Sequence, residues 1–145
     1  MIIDKQQERY IECDSVYHSR NNNRGEFGRS IIFVDVETGI TQVSSCLGAK
    51  MSRVNSCIYR NIKKFPYKIK YVNTDNGSEF IKYLVQKTFS KHKIQTFRTR
   101  PYKKNDNAHV ENRNRNYIRK VVGHARYDTE KQVQLLNQIF ELNVN

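Results

Sequence analysis

A chain of 145 residues has room for one domain, a sheet with helices packed on it, and not for several independent modules. Its 26 lysines and arginines stand against 14 acids, and the formal charge of +12 favours a polyanionic partner, nucleic acid first, through long-range attraction and counterion release. Three cysteines without CxxC spacing exclude a disulfide framework or a zinc knuckle, and no apolar run approaches the ~20 residues that a membrane span needs.

In chain order, RYIECDSVYH (Arg9 to His18) mixes aromatic and β-branched residues with polar ones, as a strand does. The polar run Ser19 to Gly28 reads as a hairpin loop. SIIFVDV (Ser30 to Val36) has the continuous apolar centre of a strand buried on both faces; Glu37, Thr38 and Gly39 turn the chain into a third strand, ITQVSSCL. Met51, Val54, Ile58 and Ile62 then recur at helical spacing, and Pro66 closes that helix. Ile69 to Asp75 reads as a strand, Ser78 to Lys91 as a helix burying Phe80, Leu84 and Phe89, and Ile94 to Phe97 as a short strand. Arg98 to Asp106, polar and broken by Pro101, reads as a loop. Helices are expected over about Asn107 to Val122 and about Thr129 to Leu142. This order predicts an α/β domain with a mixed sheet, antiparallel first and parallel later.

Three acids stand at the ends or edges of these elements: Asp14 within the first strand, Asp75 at the end of the fourth, and Glu111 in the first turns of the helix after the loop. Ligand sites in open α/β sheets lie beyond the carboxyl ends of strands, and Asp75 leads through Asn76 and Gly77 into a helix N-terminus. Carboxylates are hard oxygen donors suited to magnesium or manganese, and two such ions stabilise the attacking and leaving oxygens of a phosphodiester transfer. Each acid also has a plainer role. Asp14 and Asp35 suit solvent-facing positions on half-exposed strands, Asp75 suits the start of a turn, and Glu111 suits the positive end of a helix dipole.

The strings ECDSVYH (Glu12 to His18), IIFVDVETG (Ile31 to Gly39), NTDNGSEF (Asn73 to Phe80) and RPYKKNDNAHVENRN (Arg100 to Asn114) resemble the core of bacterial insertion-sequence transposases of the retroviral-integrase-like class. The resemblance runs from about residue 9 to residue 142. It implies a ribonuclease H-like fold, a five-stranded mixed sheet flanked by helices, and a D,D-35-E triad; here 35 residues separate Asp75 from Glu111. Carried over position by position, it makes Asp14, Asp75 and Glu111 both catalytic residues and ligands of two Mg2+ or Mn2+ ions. Asp35 is the second choice for the first acid, because it matches the family's apolar second strand. On the glutamate helix, Glu111 shares a stripe with Arg115, Ile118 and Val122, beside an apolar face of Val110, Tyr117 and Val121.

Around the glutamate, Arg98, Arg100, Lys103, Lys104, Arg113, Arg115, Arg119, Lys120 and Arg126 face only two acids in the same stretch, Asp106 and Glu111. All but Arg126 are taken as candidate phosphate contacts, which position DNA without reading sequence, and Tyr102 and Tyr117 as platforms for an unpaired terminal base. The resemblance implies DNA as partner, both transposon ends and target. It also implies a homodimer or higher assembly, a cytoplasmic, nucleoid-associated location and no membrane. The same resemblance implies hydrolysis at the element end to free a 3′-hydroxyl, followed by in-line attack of that hydroxyl on target DNA. Residues 1–145 are expected to form a single catalytic core, with no separate DNA-binding domain, and lack the upstream end-recognition region and the zinc module of fuller relatives. Two alternatives stand beside this reading: a catalytically inactive, truncated DNA-binding remnant, and a ribonuclease H-like nuclease without strand transfer.

Overall fold

A computed structural model of the chain describes residues 10–74, 94–98 and 118–143. Five strands, β1 (Tyr10–His18), β2 (Gly28–Asp35), β3 (Thr41–Leu47), β4 (Tyr71–Thr74) and β5 (Gln95–Arg98), form one sheet in the order β3-β2-β1-β4-β5. The first three make an antiparallel meander, whereas β4 and β5 run parallel to β1, as the element order predicts. Helix α1 (Met51–Lys64), the short turn α2 (Lys120–Val122) and helix α3 (Glu130–Asn143) follow in the chain. Among the described residues, no helix is long and apolar enough to cross a membrane. The helix expected over Ser78 to Lys91 lies outside the described residues.

Side-chain alternation along the strands divides the core in two. On one face Ile11, Cys13, Ile31, Phe33 and Cys46 pack with Val54, Cys57 and Ile58 of α1. On the other, Val16, Ile32, Val34 and Val43 pack with Ile118, Val122, Leu136 and Phe140. β2 carries apolar residues toward both faces, which is why Ile31 to Val34 reads as an unbroken apolar run. Cys13, Cys46 and Cys57 are buried free thiols.

Two adjacent serines on β3 show the alternation at work. Ser44 donates to Asn61 Oδ1 of α1 at 2.7 Å, and Asn61 donates in turn to the Ile31 carbonyl at 2.9 Å. Next to it, the Ser45 amide donates to Asn137 Oδ1 of α3 at 2.7 Å, and its carbonyl accepts from Asn137 Nδ2 at 2.9 Å. α1 is thereby fixed to one face of the edge strand, while Asn137 of α3 caps backbone groups on its free edge, which removes part of a template for intermolecular pairing.

α1 ends where the sequence indicates. Phe65 is extended, Pro66 follows, and Lys63 and Lys64 occupy the last turn, where positive charge complements the helix dipole. Farther on, Gly123, at φ +72°, stops the turn carrying Ile118 and Val122, a conformation that favours glycine. The buried side of that turn differs from the expected one. Ile118 and Val122, on the stripe assigned to Glu111, are buried, whereas Val121, placed on the apolar face, is 43% exposed. Residues 118 and 122, four apart, both point at the sheet, and 121 is turned away from it.

Candidate functional site

Asp14 lies at the middle of β1, the central strand, opposite Ile32 of β2. By alternation it shares a face with Val16, the face covered by Ile118 and Val122. It is half-buried, and the amide of Ser15 donates to its Oδ1 at 2.8 Å. The preceding residue, Cys13, pairs in parallel register with Thr74, the last residue of β4. On the opposite face, burial and then the Asp14 charge push the Cys13 thiol well above its ordinary pKa. Asp14 is therefore partly covered rather than fully exposed.

Asp35, the second choice for the first acid, is committed elsewhere. It is fully buried at the end of β2, where its Oδ1 accepts the amides of Glu37 at 2.8 Å and Thr38 at 3.2 Å, and its Oδ2 accepts the Tyr67 hydroxyl. The turn closes with the Gly39 amide on the Asp35 carbonyl at 2.8 Å. This is an aspartate organising a turn from its first position, not a half-exposed strand residue.

A further acid, which sequence reasoning misses, is Glu12. It is 3% exposed, two residues before Asp14 on the same face, and its backbone pairs with buried Asn73 of β4. Its place on a buried central strand is visible only once the register is known.

Of the candidate DNA contacts, Arg119 and Lys120 are described at α2, and Arg98 closes β5. Lys120 is exposed. Arg119 is half-buried and donates from Nη2 to the Tyr17 carbonyl at 3.2 Å, tying α2 to β1, and burial lowers its pKa. Arg126, counted in the basic stretch, is instead a structural pin. Its Nη1 donates to the carbonyls of Ser19, at 3.1 Å, and Asn22, and its Nη2 to those of Arg24 at 2.8 Å and Glu26 at 3.4 Å. Asp75, Glu111, Arg100, Lys103, Lys104, Arg113, Arg115, Tyr102 and Tyr117 lie outside the described residues.

The donor set around Asp14 fits a hard divalent ion better than a soft one. The adjacent thiol is on the opposite face, and the nearest histidine of β1, His18, is fully buried with its Nε2 2.7 Å from Ser30 Oγ. Among the described residues, no three His, Cys, Asp or Glu side chains come together to hold a metal.

No protein-family model matches the chain. The uncharacterized protein y4rM of Sinorhizobium fredii (strain NBRC 101917 / NGR234) is 27% identical over 133 residues, covering 92% of this chain and 38% of that protein. The chain thus spans less than two fifths of that relative's length. Among solved structures, the catalytic core domain of BIV integrase superposes with a TM-score of 0.57 at 16% identity, over 92% of this chain and 82% of that one. A chain of the simian T-cell lymphotropic virus intasome, solved with the PP2A regulatory subunit B56 gamma, superposes with a TM-score of 0.60 at 16% identity, over 92% of this chain and 47% of that one. With its central β1, mixed strand order and flanking helices, the chain has the ribonuclease H-like α/β fold of retroviral integrase catalytic cores.

Proposed function

We propose that this chain is the catalytic core of a DNA transposase or integrase of the bacterial insertion-sequence type, cutting and joining DNA with Asp14, Asp75 and Glu111. The observation that carries the reading is the parallel pairing of Cys13 with Thr74. In sequence, Asp14 and Asp75 each follow one member of that pair, and the two paired strands run the same way. A second relation supports Glu111. In sequence it precedes Ile118 by seven residues, an interval of about two helical turns, and Ile118 and Val122 are buried with Val16 on the face that Asp14 shares.

In this reading the three carboxylates bind two Mg2+ or Mn2+ ions, which when bound supply Lewis-acid stabilisation to the attacking and leaving oxygens. Asp14 contributes from a rigid strand, steadied by the Ser15 amide. Arg98, Arg100, Lys103, Lys104, Arg113, Arg115, Arg119 and Lys120 hold the phosphate backbone, and the +12 charge raises the rate of encounter. Residues 1–145 act as one core domain. Joining two element ends to target DNA calls for a dimer or a larger assembly in the cytoplasm, at the nucleoid.

The test is manganese-dependent nicking of supercoiled plasmid and joining of labelled 3′-hydroxyl oligonucleotides, comparing wild type with Asp75→Asn and Glu111→Gln. Nicking and joining lost in both variants, with DNA affinity retained, is the expected result. Joining that persists in Asp75→Asn sinks the assignment. Nicking without any joined product points to a nuclease of the same fold, and binding without nicking to an inactive remnant.

A further inference from the structure

The β1–β2 loop and the segment after α2 enclose an open cleft of about 770 Å³. Arg20, Asn21 and Asn23 line it from the loop, Arg119 and His124 from the segment at α2, and Tyr17 of β1 lines it as well. Among the described residues no carboxylate lines it, and the charge that they present to the cleft is positive. Its size is within the roughly 300–1,000 Å³ of ligand clefts.

The loop is built to hold this shape. Ser19 to Asn22 form a tight turn closed by the Asn22 amide on the Ser19 carbonyl at 3.1 Å, with Arg20 at φ +48° and Asn21 at φ +64° in the left-handed region. Asparagine tolerates that conformation, but an arginine there costs roughly 1–2 kcal/mol, strain that the surrounding structure holds in place. From across the loop, Arg126 binds the carbonyls of Ser19, Asn22, Arg24 and Glu26. Tyr17 is fixed as well: the Arg29 guanidinium lies 4.6 Å from its ring centroid, and the Phe27 ring lies 5.9 Å away. Tyr17 as a whole residue is nevertheless 37% exposed. A partly exposed tyrosine in a cleft that two arginines also line suits a flat ring flanked by phosphates. A paired base keeps both its faces inside the duplex stack, so the fitting partner is unpaired.

We propose that this cleft seats a single DNA strand, with phosphates on Arg20 and Arg119 and a base stacked on Tyr17. The inference rests on the reading of the chain as a DNA-processing core, and it adds a strand-holding site on the β1–β2 loop. Tyr17 follows Asp14 by three residues, about 10 Å along β1, and alternation turns its side chain to the face opposite the Asp14 carboxylate. His124 is exposed at the rim, where it meets the same backbone.

The experiment measures binding of a fluorescent single-stranded oligonucleotide and of a blunt duplex, over a salt series, to the full chain and to Arg20→Gly, Tyr17→Leu and Lys63→Gln. Lys63 is an exposed cation on α1 and controls for the loss of one charge. Arg20→Gly is expected to leave Tm unchanged or raise it, while weakening single-strand binding and lowering the salt slope by about 0.7, one phosphate's share. Tyr17→Leu is expected to weaken single-strand binding about fivefold or more, with little change for the duplex. Lys63→Gln is expected to bind like wild type. If wild type binds DNA but both cleft variants match the Lys63→Gln control, the cleft assignment is overturned while the DNA reading stands. Equal losses for single strand and duplex in Tyr17→Leu overturn the stacked base. A wild type that binds neither form overturns the parent reading together with this one.

Discussion

His18 Nε2 lies 2.7 Å from Ser30 Oγ, and that hydroxyl lies 2.7 Å from Ser45 Oγ, so a buried polar chain crosses β1, β2 and β3. Ser45 passes the chain on to Asn137 of α3. The Tyr127 ring stands edge-on to the imidazole at 5.4 Å, closing it from solvent.

Stability is therefore expected to depend on pH through His18. Burial, and then the Arg119 charge, lower its pKa from 6.5 to about 4, so the folded protein keeps the imidazole neutral. The unfolded chain takes up a proton near pH 6.5, and the folded one only near pH 4. The stabilisation is thus complete above about pH 6.5, falls as pH drops toward about 4, and changes no further below that. Its full size is about 3 kcal/mol. Urea unfolding midpoints at about pH 7.5, 5.5 and 4.5 should show the loss in wild type, and His18→Gln should be nearly flat over that window.

Arg126→Ala should destabilise the protein by about 2–3 kcal/mol, because four loop carbonyls lose a charged donor at once. Lysine should restore little of this, since an ammonium lacks the planar fork that spans the loop. Amide exchange across residues 19–26 is the measurement that locates the effect. Protection there that survives Arg126→Ala would refute the pinning role.

The two aspartates of the first strands should separate cleanly. Asp35→Ala removes the acceptor of two turn amides and the Tyr67 hydroxyl, and should cost about 2 kcal/mol in chemical denaturation while leaving any DNA nicking in place at permissive temperature. Asp14→Asn should do the reverse, abolishing manganese-dependent nicking with less than about 1 kcal/mol of destabilisation. The opposite pattern would move the first acid to Asp35.

Asn61→Leu should cost about 2 kcal/mol despite near-equal volume. The fully buried amide serves both Ser44 and the Ile31 carbonyl, and an aliphatic group leaves the Ser44 hydroxyl without its acceptor. Adding Ser44→Ala should recover part of the loss; a double mutant as unstable as the sum of the singles would argue against the coupling.

Much of this fold is legible in the sequence itself. The run Ile31 to Val34 announces a strand covered on both faces, and Val54 and Ile58 announce the buried side of α1, because periodicity is a local property. What resists reading is set by distance along the chain. Nothing local distinguishes Arg126, a loop pin, from Lys120, a bare surface cation a short way before it. Asp35 sits in an acidic, turn-forming context that suits a ligand as well as a cap, and only its three hydrogen bonds decide between them. Of the three carboxylates, Asp14 is on the predicted strand, and Asp75 and Glu111 fall outside the described residues. The cleft by Tyr17 is invisible in the sequence because the hairpin loop shows only polar composition, not the ring and guanidinium that it gathers.

The bonds from Arg126 to the β1–β2 loop join positions 100 to 107 apart in sequence. Synthesis runs from the N-terminus, so a nascent chain that has reached residue 117 carries the residues of all five strands but lacks Ile118, Val122, Leu136 and Phe140, which pack on one face of β1 to β3. Until those residues leave the ribosome, Val16, Ile32, Val34 and Val43 lack these four apolar partners, and the loop lacks its pin. Such non-local closure slows folding, so the chain most needs a holding chaperone before those residues have emerged.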